Sequence, residues 1–210
     1  MIIDCISDLH GFRPKLEGGD LLIVAGDLTA RDTRAEHVQI TDWMHAQKYK
    51  CVVFIAGNHD GEIQDIPRRA DHVYYLCDSG CAFEGLKIWG SPWTKTFKGM
   101  SPKCKAFTKD TEEELREKWD LIPADVDILI THSPPYGIKD KTVGGVFAGS
   151  NTLAYHVGSM RTPPKLWVWG HIHEAHGRDL AVRGKPCIMV NASHVDENYR
   201  PVYNAVRIEL

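Results

Sequence analysis

The sequence has no apolar run approaching the roughly 18 residues that a membrane-spanning helix needs, so no span is expected. Its start, MIIDCISDLHG, has no basic segment and its apolar stretch is broken by Asp4 and Asp8, so a secretory leader is not expected either. No run of five or more basic residues occurs, and 25 Lys plus Arg stand against 28 Asp plus Glu, a formal net charge of -3. A long duplex calls for a basic face, so nucleic acid is not the favoured partner. Small phosphoesters stay compatible, because bound metal ions turn an acidic pocket positive. The six cysteines are scattered with no CxxC pair, most of them in or beside apolar runs. They read as small buried hydrophobes in a reducing compartment, and a cytoplasmic location is expected. No internal repeat, low-complexity tail or linker is visible, and residues 1–210 read as a single domain of open oligomeric state.

What is present is a series of short apolar runs, each ending on a polar or Gly-rich segment. The clearest are Met1–Ile6, Leu21–Ala25, Cys51–Ala56, Val126–Thr131 and Leu166–Trp169, whose length and Val/Ile content predict buried strands. Further strands are expected at Val73–Leu76, Cys81–Phe83, Leu86–Trp89, Leu180–Val182, Cys187–Val190 and Ala205–Ile208, with a hairpin turn around Arg183–Gly184. Thr33-Arg34-Ala35-Glu36 and Thr111-Glu112-Glu113-Glu114 both have capping-box spacing. Helices are therefore predicted from Thr33 to about Tyr49 and from Thr111 to near Ile122, where Pro123 follows. A third is expected around Thr152–Met160, before Pro163-Pro164. This order of elements predicts a layered α/β protein with helices outside two packed sheets.

The polar residues fall where such a fold puts its chemistry. Asp8 and His10 follow the first run, and Asp27 follows the second after a glycine. Asn58 and His59 follow the third, His132 the fourth, and His171 and His173 the fifth. Ligands gather beyond the carboxyl ends of parallel strands, so these ends would deliver Asp, Asn and His to one volume. Glycines 26, 57 and 170 remove side-chain bulk just before a ligand. Imidazole and carboxylate together suit divalent transition ions, and one carboxylate, Asp27, is placed to bridge two of them. Two ions about 3.5–4 Å apart can generate a hydroxide and clamp phosphoryl oxygens. Neutral His and Asn add no negative charge to oppose an anionic substrate.

Asp8-Leu9-His10, Gly26-Asp27, Gly57-Asn58-His59-Asp60, His132 and Gly170-His171-Ile172-His173, in that order, resemble the calcineurin-like metallophosphoesterase superfamily. The segments IVAGDLT, FIAGNHD, WGSPWT, THSPPYG and WGHIHEAHG are most similar to its small metallophosphoesterase-domain-containing phosphodiesterase group. The resemblance implies a four-layer α/β/β/α sandwich with two mixed β-sheets and a binuclear metal centre. It implies that Asp8, His10, Asp27 and His173 hold one ion, and that Asp27, Asn58, His132 and His171 hold the other. Manganese is the ion expected in vitro, with iron, nickel, cobalt or zinc as alternatives. His59 takes the catalytic position, beside the bridging Asp27.

The aspartate that protein phosphatases of this superfamily carry three positions beyond the bridging one is replaced by Ala30. Asp32 or Asp60 is the candidate substitute partner for His59. Tyr136 and Lys139 are expected as a ring-stacking surface and a phosphate contact, and Trp89 and Trp93 as support. His176, His194 and Asn191 are candidates for holding the ligands in place. The implied activity is hydrolysis of small phosphodiesters, cyclic nucleotides among them. The alternatives are a phosphomonoesterase, a nuclease, or a protein-binding scaffold of the same fold.

Overall fold

Side chains alternate along the strands, and that alternation sets the layers. In the second strand Leu21, Ile23 and Ala25 belong to the central core, whereas Leu22 and Val24 join the cluster under the first helix. The computed structural model describes residues 1–65, 72–182 and 184–210. Its elements are β1 (Ile2–Ile6), β2 (Gly19–Ala25), α1 (Arg34–His45), β3 (Tyr49–Ile55), β4 (Val73–Tyr75), β5 (Ser79–Phe83), β6 (Leu86–Ser91), β7 (Thr94–Lys95) and β8 (Thr108–Lys109). They continue with α2 (Glu112–Trp119), β9 (Ile128–Thr131), α3 (Asn151–Ser159), β10 (Leu166–Trp169), β11 (Gly177–Val182), β12 (Lys185–Asn191) and β13 (Val206–Glu209).

One sheet runs β13-β1-β2-β3-β4, parallel except where β13 pairs antiparallel with β1. The other runs β11-β12-β10-β9-β6-β5, with four parallel strands flanked by antiparallel β11 and β5. Ile3, Ile23, Val53, Ile130, Val168 and Val190 are among the buried residues packed between the sheets. Ile40 and Met44 of α1 cover the outer face of the first sheet with Leu22, Val24 and Val52. Leu115 and Trp119 of α2 and Leu153 and Val157 of α3 cover the second with Trp167, Trp169 and Met189. The result is the expected α/β/β/α arrangement, two mixed sheets flanked by helices.

Both expected capping boxes are formed, at Thr33 with Glu36 and at Thr111 with Glu114. The first helix stops at His45 rather than near Tyr49, because Tyr49 is already paired with Gly19 as the first residue of β3. The second ends at Trp119, and a single turn carries the chain to Ile122. The third helix begins at Asn151, capped by Ser150, whose side chain accepts from the Leu153 amide. β11 and β12 pair antiparallel as the hairpin expectation requires, but Arg183 in its turn lies outside the described residues. Among the described residues, no helix is long and apolar enough to cross a membrane.

Candidate metal centre

Asp8, His10, Asp27 and His171 all have left-handed backbone, with φ between 42° and 69°. Non-glycine residues adopt that region rarely and mainly where surrounding structure enforces it. Here the enforcement comes from the seam between the sheets. The amides of Asp8 and His10 donate to Gly26 O and Asp27 O, which ties the first two strand exits together. The amides of Ser7 and Gly170 donate to Ala192 O and His132 O, which tie exits of the second sheet to that seam. Two glycines are required by close approach. A Cβ on Gly57 would sit 2.3 Å from Asp27 Oδ1, and one on Gly170 would sit 2.2 Å from Asp8 Oδ2.

Two groups of ligand atoms result, and they share Asp27. Asp8, His10, Asp27 and His173 offer ligand atoms within 4.8 Å of one another, as do Asp27, His132 and His171. Asn58 belongs with the second group, since its Oδ1 lies 3.2 Å from His132 Nε2.

The donor chemistry tests whether these groups fit metal ions. His132 Nδ1 is 2.9 Å from Ala25 O, and since a carbonyl only accepts, Nδ1 carries the proton. Nε2 then faces the centre, 3.3 Å from Asp27 Oδ2 and 3.2 Å from Asn58 Oδ1, where a metal ion would take the place of its proton. His173 repeats the arrangement, with Nδ1 donating to Asp196 O at 3.2 Å and Nε2 facing Asp8 Oδ1 at 3.4 Å and His10 Nε2 at 3.2 Å. Ligand atoms converge in this way around positive charge, whether protons or metal ions, and carbonyl partners on the far nitrogens are how metal-binding imidazoles are oriented. The residues fit a binuclear metal-binding arrangement.

Their ionisation carries the same signature. Burial alone would lower the proton affinity of His132, but the Asp27 carboxylate overrides it and raises the ring to about 9. Burial opposes the Asp8 hydrogen bond at His173 too, and the net effect is again upward. Burial wins at His10 and His171, pushing them down to about 4 and about 3. Burial disfavours charge on Asp27 and Asp8, yet the neighbouring histidines hold both well below the usual carboxylate range. Both carboxylates are thus ionised and open to a cation.

Around this centre lies a cleft of about 590 Å³, with Asp27, Asn58, His59, His171 and His173 in its wall. A larger hollow of about 870 Å³ beside α2 and α3 has none of these groups in its lining. Phe97, Val146, Phe147 and Tyr199, all partly exposed, line the cleft, as does Tyr136, whose ring lies 5.6 Å from that of Phe147. The Tyr199 ring packs edge-on against His10 and His173, with centroids 4.8 and 5.1 Å away.

Other expected residues have different places. Asp60 accepts from the Leu28, Thr29 and Gly57 amides and from Thr29 Oγ1, bracing the Asn58-His59 turn. Burial, then the Asp27 charge, raises its carboxyl to about 6. Asp32 binds His37 Nε2 at 2.8 Å and the Glu62 amide at 3.0 Å. The expectation that one of them partners His59 is corrected: His59 Nδ1 lies 3.7 Å from Cys104 Sγ. Lys139 contributes its backbone carbonyl, which accepts from Trp169 Nε1 and Asn191 Nδ2. Its ammonium lies beside Gly177, 3.2 Å from where a Cβ there would sit. Trp93 is supporting, its Nε1 donating to Asp78 at 2.8 Å. Asn191 Oδ1 accepts from the Ser193 amide, and Ser193 Oγ lies 2.7 Å from Asp8 Oδ2. Cys104, Ser193 and Tyr199 carried no sequence signal, since none follows an apolar run with a glycine before it.

Comparison with known proteins agrees with this geometry. A family model described as calcineurin-like phosphoesterase matches residues 1–175. The chain is 32% identical to metallophosphoesterase domain-containing protein 1 of Homo sapiens, over 98% of this chain and 70% of that protein. It is 30% identical to a UPF0046 protein of Caenorhabditis elegans, over 98% of this chain and 79% of that one. A crystal structure at 16% identity superposes with a TM-score of 0.66 over 90% of this chain and 89% of that one, a likeness of fold. With a binuclear metal-binding arrangement at the seam of its two sheets, the chain belongs to the calcineurin-like phosphoesterase family, a family of dimetal-binding hydrolases.

Proposed function

We propose that this protein hydrolyses small phosphodiesters, using Asp8, His10, Asp27 and His173 to hold one divalent ion and Asp27, Asn58, His132 and His171 to hold a second. The observation that carries the reading is the position of Asp27, whose carboxylate belongs to both ligand groups and lines the aromatic-rimmed cleft. When bound, two such ions supply an activated water and a clamp for the phosphoryl oxygens. The remaining work belongs to side chains. The His59 amide donates to Asp27 Oδ1 at 2.9 Å and Thr29 Oγ1 donates to His59 O at 2.9 Å, which fixes the imidazole at the cleft. His59 stabilises the transferring group by donating a hydrogen bond to the departing oxygen as charge develops there. Tyr136, Phe147 and Tyr199 offer apolar surface to a ring on the substrate, such as the base of a cyclic nucleotide.

The cleft also favours a diester over a monoester. Lys95 is the cation in its lining, and it is paired with Glu112 at 3.5 Å, while Glu174 and Glu197 also border the cleft. A monoester carries more charge than a diester and finds little beyond the metals to balance it. Manganese is the ion proposed for assay, and residues 1–210 act as one unit, since β13 closes on β1.

The test is a comparison of bis-p-nitrophenyl phosphate with p-nitrophenyl phosphate after reconstitution with Mn, Fe, Co, Ni or Zn. Preference for the diester is expected. His59→Asn should keep its metal and lose roughly 10²–10⁴-fold in turnover. Preference for the monoester would assign a phosphomonoesterase instead, and inactivity on both with metal bound would point to a scaffold.

A further inference from the structure

We propose that the Cys104 thiol is the positioning partner of His59, occupying Nδ1 so that the imidazole presents Nε2–H to the substrate. The inference rests on the catalytic role given to His59 above and adds the group that sets its tautomer.

Three observations lead to it. The carboxylates expected to hold His59 are engaged elsewhere, Asp60 by backbone amides and Asp32 by His37. Cys104 Sγ lies 3.7 Å from His59 Nδ1, within hydrogen-bonding range for sulfur. The segment carrying Cys104 is itself latched to the metal loop, since Asn58 Nδ2 donates to Cys104 O at 3.1 Å and the Ala106 amide donates to Asn58 O at 3.2 Å. A Ser101 cap shapes the Pro102–Cys104 turn that delivers the thiol.

The direction of the hydrogen bond follows from what the cleft receives. A phosphoester presents oxygen acceptors, so the ring nitrogen facing it must carry a proton. With the proton on Nε2, Nδ1 offers a lone pair, and the thiol S–H is a donor for it. A carboxylate at this position could only accept from Nδ1–H. The thiol therefore orients His59 as a donor through Nε2. The S–H bond is weak, so the gain is one of orientation and tautomer.

The experiment compares Cys104→Ala and Cys104→Ser with the native chain, all loaded with zinc, which is diamagnetic. Ring-nitrogen NMR of the native protein is expected to show His59 as the Nε2–H tautomer, and Cys104→Ala to show a mixture. Turnover of bis-p-nitrophenyl phosphate should fall about tenfold in Cys104→Ala, as for other residues that orient a functional imidazole. KM should hold within about twofold, and two ions should still be bound per chain. Cys104→Ser, whose hydroxyl also donates, should recover most of the loss. An Nδ1–H tautomer in the native protein, or full turnover in Cys104→Ala, would overturn the proposal. So would a serine variant as slow as alanine while its metal content and melting temperature match the native chain. Failure of the catalytic reading itself would show separately, as an inactive native protein or an active His59→Asn.

Discussion

Ser193 Oγ lies 2.7 Å from Asp8 Oδ2 and 2.8 Å from Asn191 Oδ1, joining β12's exit to the first metal loop. The Ser193 amide already donates to Asn191 Oδ1, so the hydroxyl proton goes to the charged acceptor, Asp8. Asn191 is held in turn, its Nδ2 donating to Ile172 O and Lys139 O. Removal of the hydroxyl in Ser193→Ala frees the Asp8 carboxylate to rotate. Affinity for the ion of the Asp8 group should fall about tenfold, the lower end of the range for such supporting groups. Chelator competition reads this directly, and the ion of the His132 group should be unaffected. Equal loss at both ions would mean that Ser193 shapes the seam as a whole.

Asp27 belongs to both groups, so its loss should not be local. Asp27→Asn keeps the side-chain volume while removing the charge that raises His132. Ions that bind only the folded chain stabilise it by about 2.7 kcal/mol at a hundredfold excess over Kd. Manganese should therefore raise the melting temperature of the native protein, and dialysis against a chelator should reverse the rise. In Asp27→Asn the rise should vanish for both ions. A variant that retains a manganese-dependent shift of full size would remove Asp27 from the bridging position.

Residues were legible in the sequence where the fold's own logic put them. Asp8, Asp27, Asn58, His132 and His171 all follow strands, and a parallel sheet turns such positions toward one edge. The helices were legible in Thr33 and Thr111, whose caps are local. The partners of those residues were not. Ser193 meets Asp8 across 185 residues of chain, and Cys104 meets His59 across 45, with no periodic pattern to announce either. Asp32 and Asp60 looked like partners of His59 because they are near in sequence, but left-handed backbone at Asp32 and the amides around Asp60 turn both carboxylates to other work. The Lys139 carbonyl, which accepts from Trp169 and Asn191, is likewise a backbone role that the side chain does not announce.

Acid should weaken the fold through His176 and His194. Each ring donates from Nδ1 to a carbonyl, Ser193 O at 2.9 Å and Tyr203 O at 2.6 Å, and His176 also stacks on Tyr203 with centroids 4.4 Å apart. Burial lowers the proton affinity of both. A histidine lowered in the folded state binds its proton more readily once unfolded, so its contribution is intact above about pH 6.5 and fades as pH falls below that value. The urea midpoint should drop between pH 7.5 and pH 5.5, and His176→Gln with His194→Gln should flatten that drop. An identical pH slope in the double variant would assign the acid sensitivity to groups other than these two histidines.

Tyr199 holds left-handed backbone, with φ at 59°, while its ring covers His10 and His173. Such a conformation costs about 1–3 kcal/mol and persists only where its surroundings impose it. Here they do: the Tyr199 amide donates to Asp196 O, and Arg200 clamps the Asp196 carboxylate. Asp196 O also accepts from His173 Nδ1, so the strained turn and the metal ligand share one carbonyl. Tyr199→Gly relaxes the backbone but removes the ring, whereas Tyr199→Phe keeps both ring and strain. Edge-on aromatic contacts contribute about 0.5–1.5 kcal/mol, so loss of the ring should raise KM for an aromatic diester roughly 2- to 13-fold. Tyr199→Phe should leave KM near native, because the contact is made by the ring and not by the hydroxyl. Tyr199→Gly should also be no less stable than the native chain toward urea, since relief of strain offsets the lost packing. A glycine variant with native KM would show that the ring covers the histidines without touching substrate.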